Sequence, residues 1–270
     1  MGEEEVNIMI QIDKERCTGC KQCAGDCLAN AIRFVDGKAE VYKPCFACGH
    51  CVAICPVGAV RFEGEEYSMS DVEPLGAGFG IDSATMLHAI KSRRSIRHFT
   101  DEKPDLETLN RILEAGRFSP TGSNTQNVTY IVFTDKTGEL NRMAMEELRC
   151  YRDDPKGFAK VYPPPMTAKQ MNFDYDDFFF KGAPVVILTL SPNTVNASIA
   201  TANMELQAVA EGLGALYVGY FTRLAAKNER IREYLGLSET DQVVTCLAVG
   251  YPAVHYQRTV PRRKADIRWR

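Results

Sequence analysis

The sequence lacks several features that would assign it to a particular class of protein. Its 270 residues contain no apolar run of the ~18 residues that a membrane-spanning helix requires. The formal net charge is only −3, which gives no reason to expect nucleic acid or an acidic membrane as a partner. The N-terminal stretch MGEEEVNIMIQIDKERC is acidic and has neither the basic region nor the long apolar region of a secretion signal. We therefore expect a cytoplasmic protein.

Cysteine, in contrast, is abundant and unevenly distributed. Of the ten cysteines, eight lie between Cys17 and Cys55. Disulfides are not expected, because the cytoplasm keeps thiols reduced. Cys246 lies in the apolar run VVTCLAVG and is predicted to be a small buried core residue. No role is assigned to Cys150.

The eight clustered cysteines form a repeated motif. The spacing C-x2-C-x2-C-x3-C occurs twice, in Cys17, Cys20, Cys23 and Cys27 and again in Cys45, Cys48, Cys51 and Cys55. Each member of the second set lies 28 residues after its counterpart, and the same offset carries NAIRF onto GAVRF. The motif is therefore part of an internal repeat.

This spacing favours iron–sulfur clusters over zinc. Structural zinc sites usually take two thiolates from each of two separated C-x2-C pairs. In the bacterial iron–sulfur pattern, three thiolates of one motif hold one cluster and the fourth cysteine ligates the other cluster. By that rule the two ligand sets are Cys17, Cys20, Cys23 and Cys55 for one cluster, and Cys45, Cys48, Cys51 and Cys27 for the other. The second motif ends in Cys55-Pro56, as the pattern expects, whereas the first ends in Cys27-Leu28.

Residues 7–64 resemble the bacterial two-cluster ferredoxin module. The resemblance implies two 4Fe-4S clusters that pass single electrons at low potential. His50, next to Cys51, is predicted to be an exposed neighbour and not a ligand, since the thiols already complete both sets. We expect a ferredoxin domain over residues 1–64, a linker over 65–83 that is rich in acidic residues and glycine, and a second domain over 84–270.

The second domain alternates predicted helices and strands, which favours an α+β layered fold. Helices are predicted from Ala84 to Arg93, from an Asp105 N-cap to Ala115 with Gly116 ending the helix, and from Val195 to Leu213. Strands are predicted over 128–134, 183–191, 215–221 and 243–251. The near-continuous apolar run 183–191 is expected to be central in its sheet.

Four stretches of this domain carry candidate binding residues, each with a second, purely structural interpretation. KSRRSIRHF (91–99) is either a solvated basic helix end or an anion site. FSPTGSNTQN (118–127) is a loop that could also approach a polar ligand. The glycines of EGLGALYVGYF (211–221) permit tight helix–strand packing or let a flat ring lie against backbone. VPRRKADIRWR (260–270) is a disordered basic end, or a docked one held by Trp269.

Taken together with NMELQAVAEGLGA and LAVGYP, these stretches resemble the FMN-dependent nitroreductase family over essentially all of residues 84–270. The N-terminal module is similar to that of the subgroup with its own ferredoxin domain. The resemblance implies an α+β, nitroreductase-like FMN-binding layered fold preceded by a small ferredoxin-like two-cluster module. It also implies a homodimer with the flavin at the subunit interface.

The resemblance also implies roles for individual residues at the two ends of the flavin. Phosphate and ribityl contacts fall on Arg93 and Ser95, with Arg94 beside them and with Arg262 and Arg263 closing on the phosphate. Arg97 takes the place of a basic residue near N1 and O2 of the isoalloxazine. Contacts along the flavin, some of them from the other subunit, fall on Pro120, Thr121, Gly122, Asn124, Val218 and Gly219.

A positioned guanidinium at N1 would favour the reduced flavin, which carries negative charge there. Many family members carry Glu near N5, where this chain has Val218-Gly219-Tyr220, so no catalytic acid is assigned. Tyr175, Phe178 or Phe179 could form a substrate lid, although core or dimer contact is the preferred interpretation.

These features predict an oxidoreductase in which two clusters feed FMN, and FMN reduces a small organic acceptor such as a nitroaromatic or a quinone. The electron donor would be a ferredoxin or NAD(P)H. Two alternatives remain open. One is an electron-transfer protein that serves a redox partner, and the other is a flavin enzyme of the same fold that performs dehydrogenation, reductive dehalogenation or flavin destruction.

Overall fold

The computed structural model describes residues 9–64, 66–76 and 80–270. Residues 1–8 of the predicted ferredoxin domain, and residues 65 and 77–79 of the predicted linker, lie outside this description. The chain divides into two compact units. The smaller unit holds the described residues up to Gly80 together with Gly122–Thr125, and the larger holds Ile81–Thr121 and Gln126–Arg270. None of the helices formed by the described residues is long and apolar enough to span a membrane.

The smaller unit is a repeat of structure as well as of sequence. Its elements are β1 (Ile10–Ile12), α1 (Gln22–Gly25), β2 (Ile32–Val35), β3 (Lys38–Val41), α2 (His50–Ile54) and β4 (Val60–Phe62). The last three elements begin 28 residues after the first three. Both halves therefore have the order strand, helix, strand.

The two halves of this unit are joined by strand pairing. β1 pairs with β4 and β2 pairs with β3, both antiparallel, so each strand pairs with a strand of the other half. Equivalent positions also share left-handed backbone geometry, with positive φ at Gly19 and Ala47, Lys21 and Gly49, and Asn30 and Gly58. Glycine occupies half of these six positions, as expected where the chain must turn in this region of conformational space.

The larger unit begins with two helices and continues as alternating strands and helices. Its elements are α3 (Ser83–Ser92), α4 (Leu106–Arg117), β5 (Thr129–Phe133), α5 (Thr137–Cys150), α6 (Pro155–Val161), β6 (Val185–Leu190), α7 (Thr194–Ala210), β7 (Gly214–Tyr217), α8 (Gly219–Lys227), α9 (Glu229–Tyr234) and β8 (Val243–Gly250). Asp82, Asp105 and Asn193 accept hydrogen bonds from the first turns of α3, α4 and α7, which fixes where these helices begin.

The strands form one antiparallel sheet in the order β5-β6-β8-β7. Alternate residues of β6 and β8 point to opposite faces. Leu188 and Cys246 pack with residues of α5, α6, α8 and α9, whereas Ile187 and Leu247 pack with residues of α4 and α7. The sheet is thus covered on both faces, and the predicted α+β layered fold is confirmed. β6 is buried along its whole length and central, and Cys246 is buried, as predicted.

Three local predictions are wrong. The predicted strand 215–221 stops at Tyr217, and α8 begins at Gly219 because Phe221, Leu224 and Ala225 bury one helical face. Gly116 does not end α4 but is buried within it. Trp269 is 89% exposed, so the basic end is not docked on its own chain through that side chain.

Candidate cofactor sites

The eight clustered cysteines line two separate cavities in the smaller unit. One cavity is lined by Cys17, Cys20, Cys23 and Cys55, and the other by Cys27, Cys45, Cys48 and Cys51. Each cavity thus receives three thiols from one motif and a fourth from the other, the grouping that the sequence predicts. Which atoms ligate a metal stays a prediction.

Backbone N–H groups point at four of these sulfurs. Ala31 N donates to Cys27 Sγ at 3.3 Å, and the equivalent Ala59 N donates to Cys55 Sγ at 3.2 Å. Cys17 and Cys45 accept from Ala39 N and Ala47 N at 3.5 and 3.4 Å. Because N–H donors stabilise a thiolate more than a thiol, they suit sulfurs that bind iron.

The surroundings lower the pKa of one cavity cysteine and raise that of another. Hydrogen bonds from the backbone N–H groups of Ala39 and Gly19 lower the pKa of Cys17. Burial, with the neighbouring thiols of Cys45 and Cys48, raises the pKa of Cys51 to about 11. A buried thiol of this kind becomes a thiolate when a cation compensates its charge, so the donor set fits a cationic metal group.

The thiols line the walls of the cavities and do not converge on a point. Among the residues that the structure describes, no three His, Cys, Asp or Glu side chains come together as they would around a single metal ion. A cubane needs the wider arrangement, since its four irons are held by four separate thiolates. His50 is exposed and its Nδ1 lies 3.2 Å from Asp26 Oδ2, although the residue also lines the cavity of Cys27, Cys45, Cys48 and Cys51. That it is not a ligand stays a prediction.

In the larger unit, the RRSIRHF segment is held against the edge of the sheet. Ile96 N donates to Ala215 O at 3.0 Å, and Thr100 N donates to Tyr251 O at 2.9 Å. Gly214 permits this approach, because a β-carbon there would overlap the Ile96 side chain. Ser95 pairs with Ala215 as an isolated parallel bridge. The cations of the segment are thereby attached to a fixed backbone.

Two of the predicted phosphate contacts share a groove of about 490 Å³. The groove is lined by Ile90, Lys91, Arg93, Thr259, Val260 and Arg262. Lys91, Arg93 and Arg262 therefore face one space from two distant parts of the sequence. Arg263 is exposed and does not line this groove.

Arg94, in the same RRSIRHF segment, has a hydrogen-bond donor without a partner among the described residues. The donor is its buried Nε, and its guanidinium lies 5.8 Å from the Tyr256 ring centroid. A buried N–H normally has an acceptor, so this donor is available to a ligand that brings one. The basic groove and the orphan donor together fit an oxygen-rich anion such as the phosphate end of FMN.

Val218 and Gly219 line a different cavity, of about 400 Å³, together with Tyr217, Thr222 and Arg223 and the first residues of β8. Val218 is buried, and its N–H donates to Cys246 O at 2.8 Å. Gly219 is the first residue of α8. Two of the residues predicted to face the phosphate, Arg93 and Arg262, and two predicted to face the ring, Val218 and Gly219, thus line two cavities of the larger unit.

The predicted flavin loop is divided between the units. Pro120 is exposed, and Thr121 Oγ1 accepts from Gln126 N at 3.0 Å within the larger unit. Gly122 and Asn124 group with the smaller unit, in which Asn124 Nδ2 donates to Ala47 O at 2.9 Å and to Phe46 O at 3.3 Å.

Arg97 is exposed and lies close enough to Lys181 to lower the pKa of that lysine. Burial lowers the pKa of Lys181, Asp177 opposes that shift, and Arg97 adds to it. The Lys181 ammonium sits 4.8 Å from the Phe178 ring centroid and 5.3 Å from that of Tyr175. Phe179 is fully buried, so it belongs to the core, which is the preferred interpretation of this segment.

Sequence reasoning missed Thr259, Tyr217 and Glu205, whereas Lys91 belongs to the KSRRSIRHF stretch already predicted as a possible anion site. A signal for Glu205 is present in the sequence. It lies in register with Ala197, Ala200, Thr201, Met204 and Ala208 on the buried stripe of α7, where an acidic residue is unusual. Tyr217 and Thr259 carry no comparable signal, because only the tertiary structure brings them to the cavities.

Comparison with known proteins identifies both units. A family model described as "Nitroreductase family" matches residues 90–251. A second model, described as "4Fe-4S dicluster domain", matches residues 9–56.

Similar individual proteins match one unit or the other. A component of the ion-translocating oxidoreductase complex of Methanosarcina acetivorans is 51% identical over 46 residues, which is 17% of this chain and 17% of that component. A putative NADH dehydrogenase/NAD(P)H nitroreductase of Archaeoglobus fulgidus is 27% identical over 62% of this chain and 84% of its own length. A nitroreductase from Bacteroides fragilis, crystallised with FMN, has a TM-score of 0.53 at 22% identity and covers 68% of this chain and 98% of its own.

Proposed function

Since the chain belongs to the nitroreductase family, we propose that it is an FMN-dependent oxidoreductase fed by its own iron–sulfur clusters. Electrons from two 4Fe-4S clusters would reach FMN, and a small organic acceptor such as a nitroaromatic or a quinone would be reduced. One observation carries this proposal. The same chain holds two cavities lined by four cysteines each and a groove lined by three cations.

The cysteines of the smaller unit would hold the clusters in the crossed arrangement, with Cys55 completing the first set and Cys27 completing the second. The N–H groups of Ala59 and Ala31 donate to these two completing sulfurs. Such donors stabilise negative charge on sulfur, and hydrogen bonds to cluster sulfurs help to set the reduction potential. A ligand set of eight cysteines supports two clusters per chain.

The larger unit would hold FMN. Arg93 and Arg262, with Ser95 and Arg94 nearby, would bind the phosphate end through charge-assisted hydrogen bonds. Val218 and Gly219 would lie against the ring, and Arg97 would face the N1 and O2 edge, where a cation favours the reduced form. When bound, FMN would collect two single electrons and a proton and deliver them to the acceptor as a hydride. No side chain is assigned as a dedicated acid, so further protons would come from water.

We also propose a homodimer, in which Pro120, Thr121, Gly122 and Asn124 approach the flavin of the second copy. Support comes from α3, none of whose residues is buried, and whose Met86, Leu87 and Ile90 are large exposed apolar side chains. Exposed apolar patches of this kind usually mark interaction surfaces. Sedimentation of the full-length protein as a monomer at micromolar concentration would refute the dimer.

Reduced ferredoxin or NAD(P)H is the proposed electron donor, and the cysteine content suits the reducing cytoplasm. The deciding experiment compares anaerobic turnover of nitroaromatics and quinones with NADPH, reduced ferredoxin and dithionite as donors. We expect about one FMN and about eight irons per chain after reconstitution, since a Cys₄ set binds each four-iron cluster. We also expect that turnover with reduced ferredoxin is lost when a cluster cysteine is changed to serine.

The iron and flavin contents decide the cofactor part of this proposal. Material without flavin, or with about half the expected iron, would contradict it. Faster turnover with NADPH in the cysteine variants would show instead that the clusters are not the route of entry. Failure of every acceptor despite full cofactor content would leave the alternative of an electron-transfer protein.

A further inference from the structure

A carboxylate is buried next to the basic groove. Glu205, on α7, has a side chain only 7% exposed, and its Oε1 accepts a hydrogen bond from Arg93 Nη1 at 3.0 Å. Removing a carboxylate from water is unfavourable unless it is paired and hydrogen-bonded. Arg93 supplies the charge and a hydrogen bond, and the nearby Tyr217 hydroxyl stabilises the carboxylate further. This pairing explains how an acidic residue is tolerated on the buried stripe of the helix.

Glu205 contacts one residue from each of the two candidate flavin cavities. Arg93 lines the groove with Lys91 and Arg262. Tyr217 lines the cavity that also contains Val218 and Gly219. A single buried side chain therefore interacts with residues of both cavities.

The charge of Glu205 is stabilised by the two residues beside it, Arg93 and Tyr217. Burial raises the pKa of Glu205, whereas Arg93 and the Tyr217 hydroxyl oppose that shift by stabilising the carboxylate. Burial, with the Glu205 charge, raises the pKa of Tyr217 to about 12, so its hydroxyl keeps its proton at neutral pH. The Tyr217 hydroxyl thus keeps the proton with which it stabilises the Glu205 carboxylate at neutral pH.

The hydrogen bond to Glu205 restricts the orientation of the Arg93 guanidinium. A guanidinium has five N–H donors, and the bond to Glu205 uses Nη1. An arginine on the surface would lose rotamer freedom when it binds an anion, and a side chain already held in place loses less. The remaining donors are presented to an anion in a fixed fork.

We propose that Glu205 is a positioning residue that holds Arg93 in the orientation in which it binds the phosphate of FMN. The inference rests on the proposed function, because it presupposes that FMN binds in this groove. It predicts that Glu205 affects the phosphate contribution to binding and not the binding of the ring.

The test uses full-length protein with its clusters reconstituted and its flavin removed. Dissociation constants for FMN and riboflavin are measured by flavin fluorescence, and their ratio isolates the phosphate contribution. In Glu205→Ala, we expect the preference for FMN to fall about tenfold, the loss expected for one charge-assisted hydrogen bond. Glu205→Gln keeps an acceptor for Arg93 Nη1, and we expect it to stay within about threefold of the wild type.

Two further variants serve as controls. Arg93→Ala should also lower the preference for FMN, and adding Glu205→Ala to it should produce no further loss, because the two residues act as a unit. Glu211→Ala removes another carboxylate at the end of α7, one paired with Arg111 and lining neither cavity. It should leave the preference unchanged.

An unchanged preference in Glu205→Ala would overturn the inference. So would an increased preference, since that would show Glu205 to be a repelling charge near the phosphate. If Glu205→Ala does not fold, Glu205→Asp replaces it, because the shorter carboxylate keeps the charge but no longer reaches Arg93. A wild-type protein that binds no FMN would refute the proposed function itself, whereas wild-type binding with an unchanged ratio would refute only the role of Glu205.

Discussion

The two units of the chain are stabilised in different ways. The larger unit has two apolar clusters on the two faces of its sheet, built from aliphatic and aromatic side chains. The cluster of the smaller unit has only Cys17, Cys23, Ala39 and Ala59 fully buried, with partly buried apolar side chains packed against them. Alanine and cysteine bury little apolar surface, so hydrophobic burial contributes far less there. We infer that the smaller unit depends on its metal groups for stability, as small metal-binding domains generally do.

Removal of iron should produce the largest effect and tests this difference directly. After anaerobic chelation of the full-length protein, we expect amide hydrogen exchange in β1–β4 to become fast, while protection in β6 and β8 is retained. Mass spectrometry of peptides from both units measures this. Retained protection of β2 and β3 in iron-free protein would show that the smaller unit folds without metal.

Substituting either one of the two completing cysteines, Cys27 or Cys55, should halve the iron content. The two single variants allow the two halves of the smaller unit to be compared. Cys55→Ser should disturb the cluster proposed for the cavity of Cys17, Cys20 and Cys23, and Cys27→Ser the one proposed for the other cavity. Iron analysis and low-temperature EPR of the two variants should therefore give different residual signals. Cys150→Ser, at an exposed position outside both cavities, is the control. In the crossed arrangement Cys55→Ser should leave the same residual signal as Cys20→Ser, and a signal matching that of Cys48→Ser instead would contradict it.

A substitution that creates a cavity in the core of the larger unit should lower the stability of that unit alone. Leu188 is fully buried on β6, and Leu188→Ala should lower the free energy of unfolding by about 2–5 kcal/mol. Leu188→Met, which nearly conserves volume, should cost less than about 1.5 kcal/mol. Thermal unfolding measures the loss, and iron content should not change. Loss of iron in Leu188→Ala would show that the two units are not stabilised independently.

The smallest effect concerns a helix cap. Hydrogen bonds from Thr108, chiefly from its backbone N–H, hold the pKa of Asp105 below its ordinary value. A carboxyl with a lowered folded-state pKa stabilises the fold above its ordinary pKa, and this contribution is lost as the pH falls through the lowered value. Asp105→Ala should therefore lower the melting temperature slightly at neutral pH and by less in acid.

Asp105→Asn keeps an acceptor for the Thr108 N–H and should lose less stability at neutral pH than Asp105→Ala. Melting curves of both variants over a pH series provide the measurement. A difference between Asp105→Ala and the wild type that does not shrink in acid would contradict the role of the charge.

The sequence was most informative where function depends on spacing along the chain. The cysteine motifs predict the grouping around two cavities, because ligand spacing is a local property that the sequence displays directly. β6 was predicted as a buried central strand for a similar reason, since its whole length is apolar. The combination of motifs also predicted the family, although each motif alone has an ordinary structural interpretation.

Predictions failed where long-range packing decides the structure. ALYVGYF has the composition of a strand, yet the chain becomes helical at Gly219 because Phe221 and Leu224 pack into the core. Neither basic stretch alone shows that Arg93 and Arg262 share one groove, and only the family resemblance predicted that they meet. Glu205 was missed because its partners, Arg93 and Tyr217, are distant in sequence.

The crossed pairing of the smaller unit has a consequence for its ancestry. A single 28-residue peptide with one motif would supply three thiols to its own cavity and its fourth thiol to the cavity of another copy. Its two strands would likewise pair only with strands of another copy. Two such peptides associated about a twofold axis would complete both sets at once. Duplication and fusion of such a peptide would account for both the 28-residue repeat and the dependence of each half on the other.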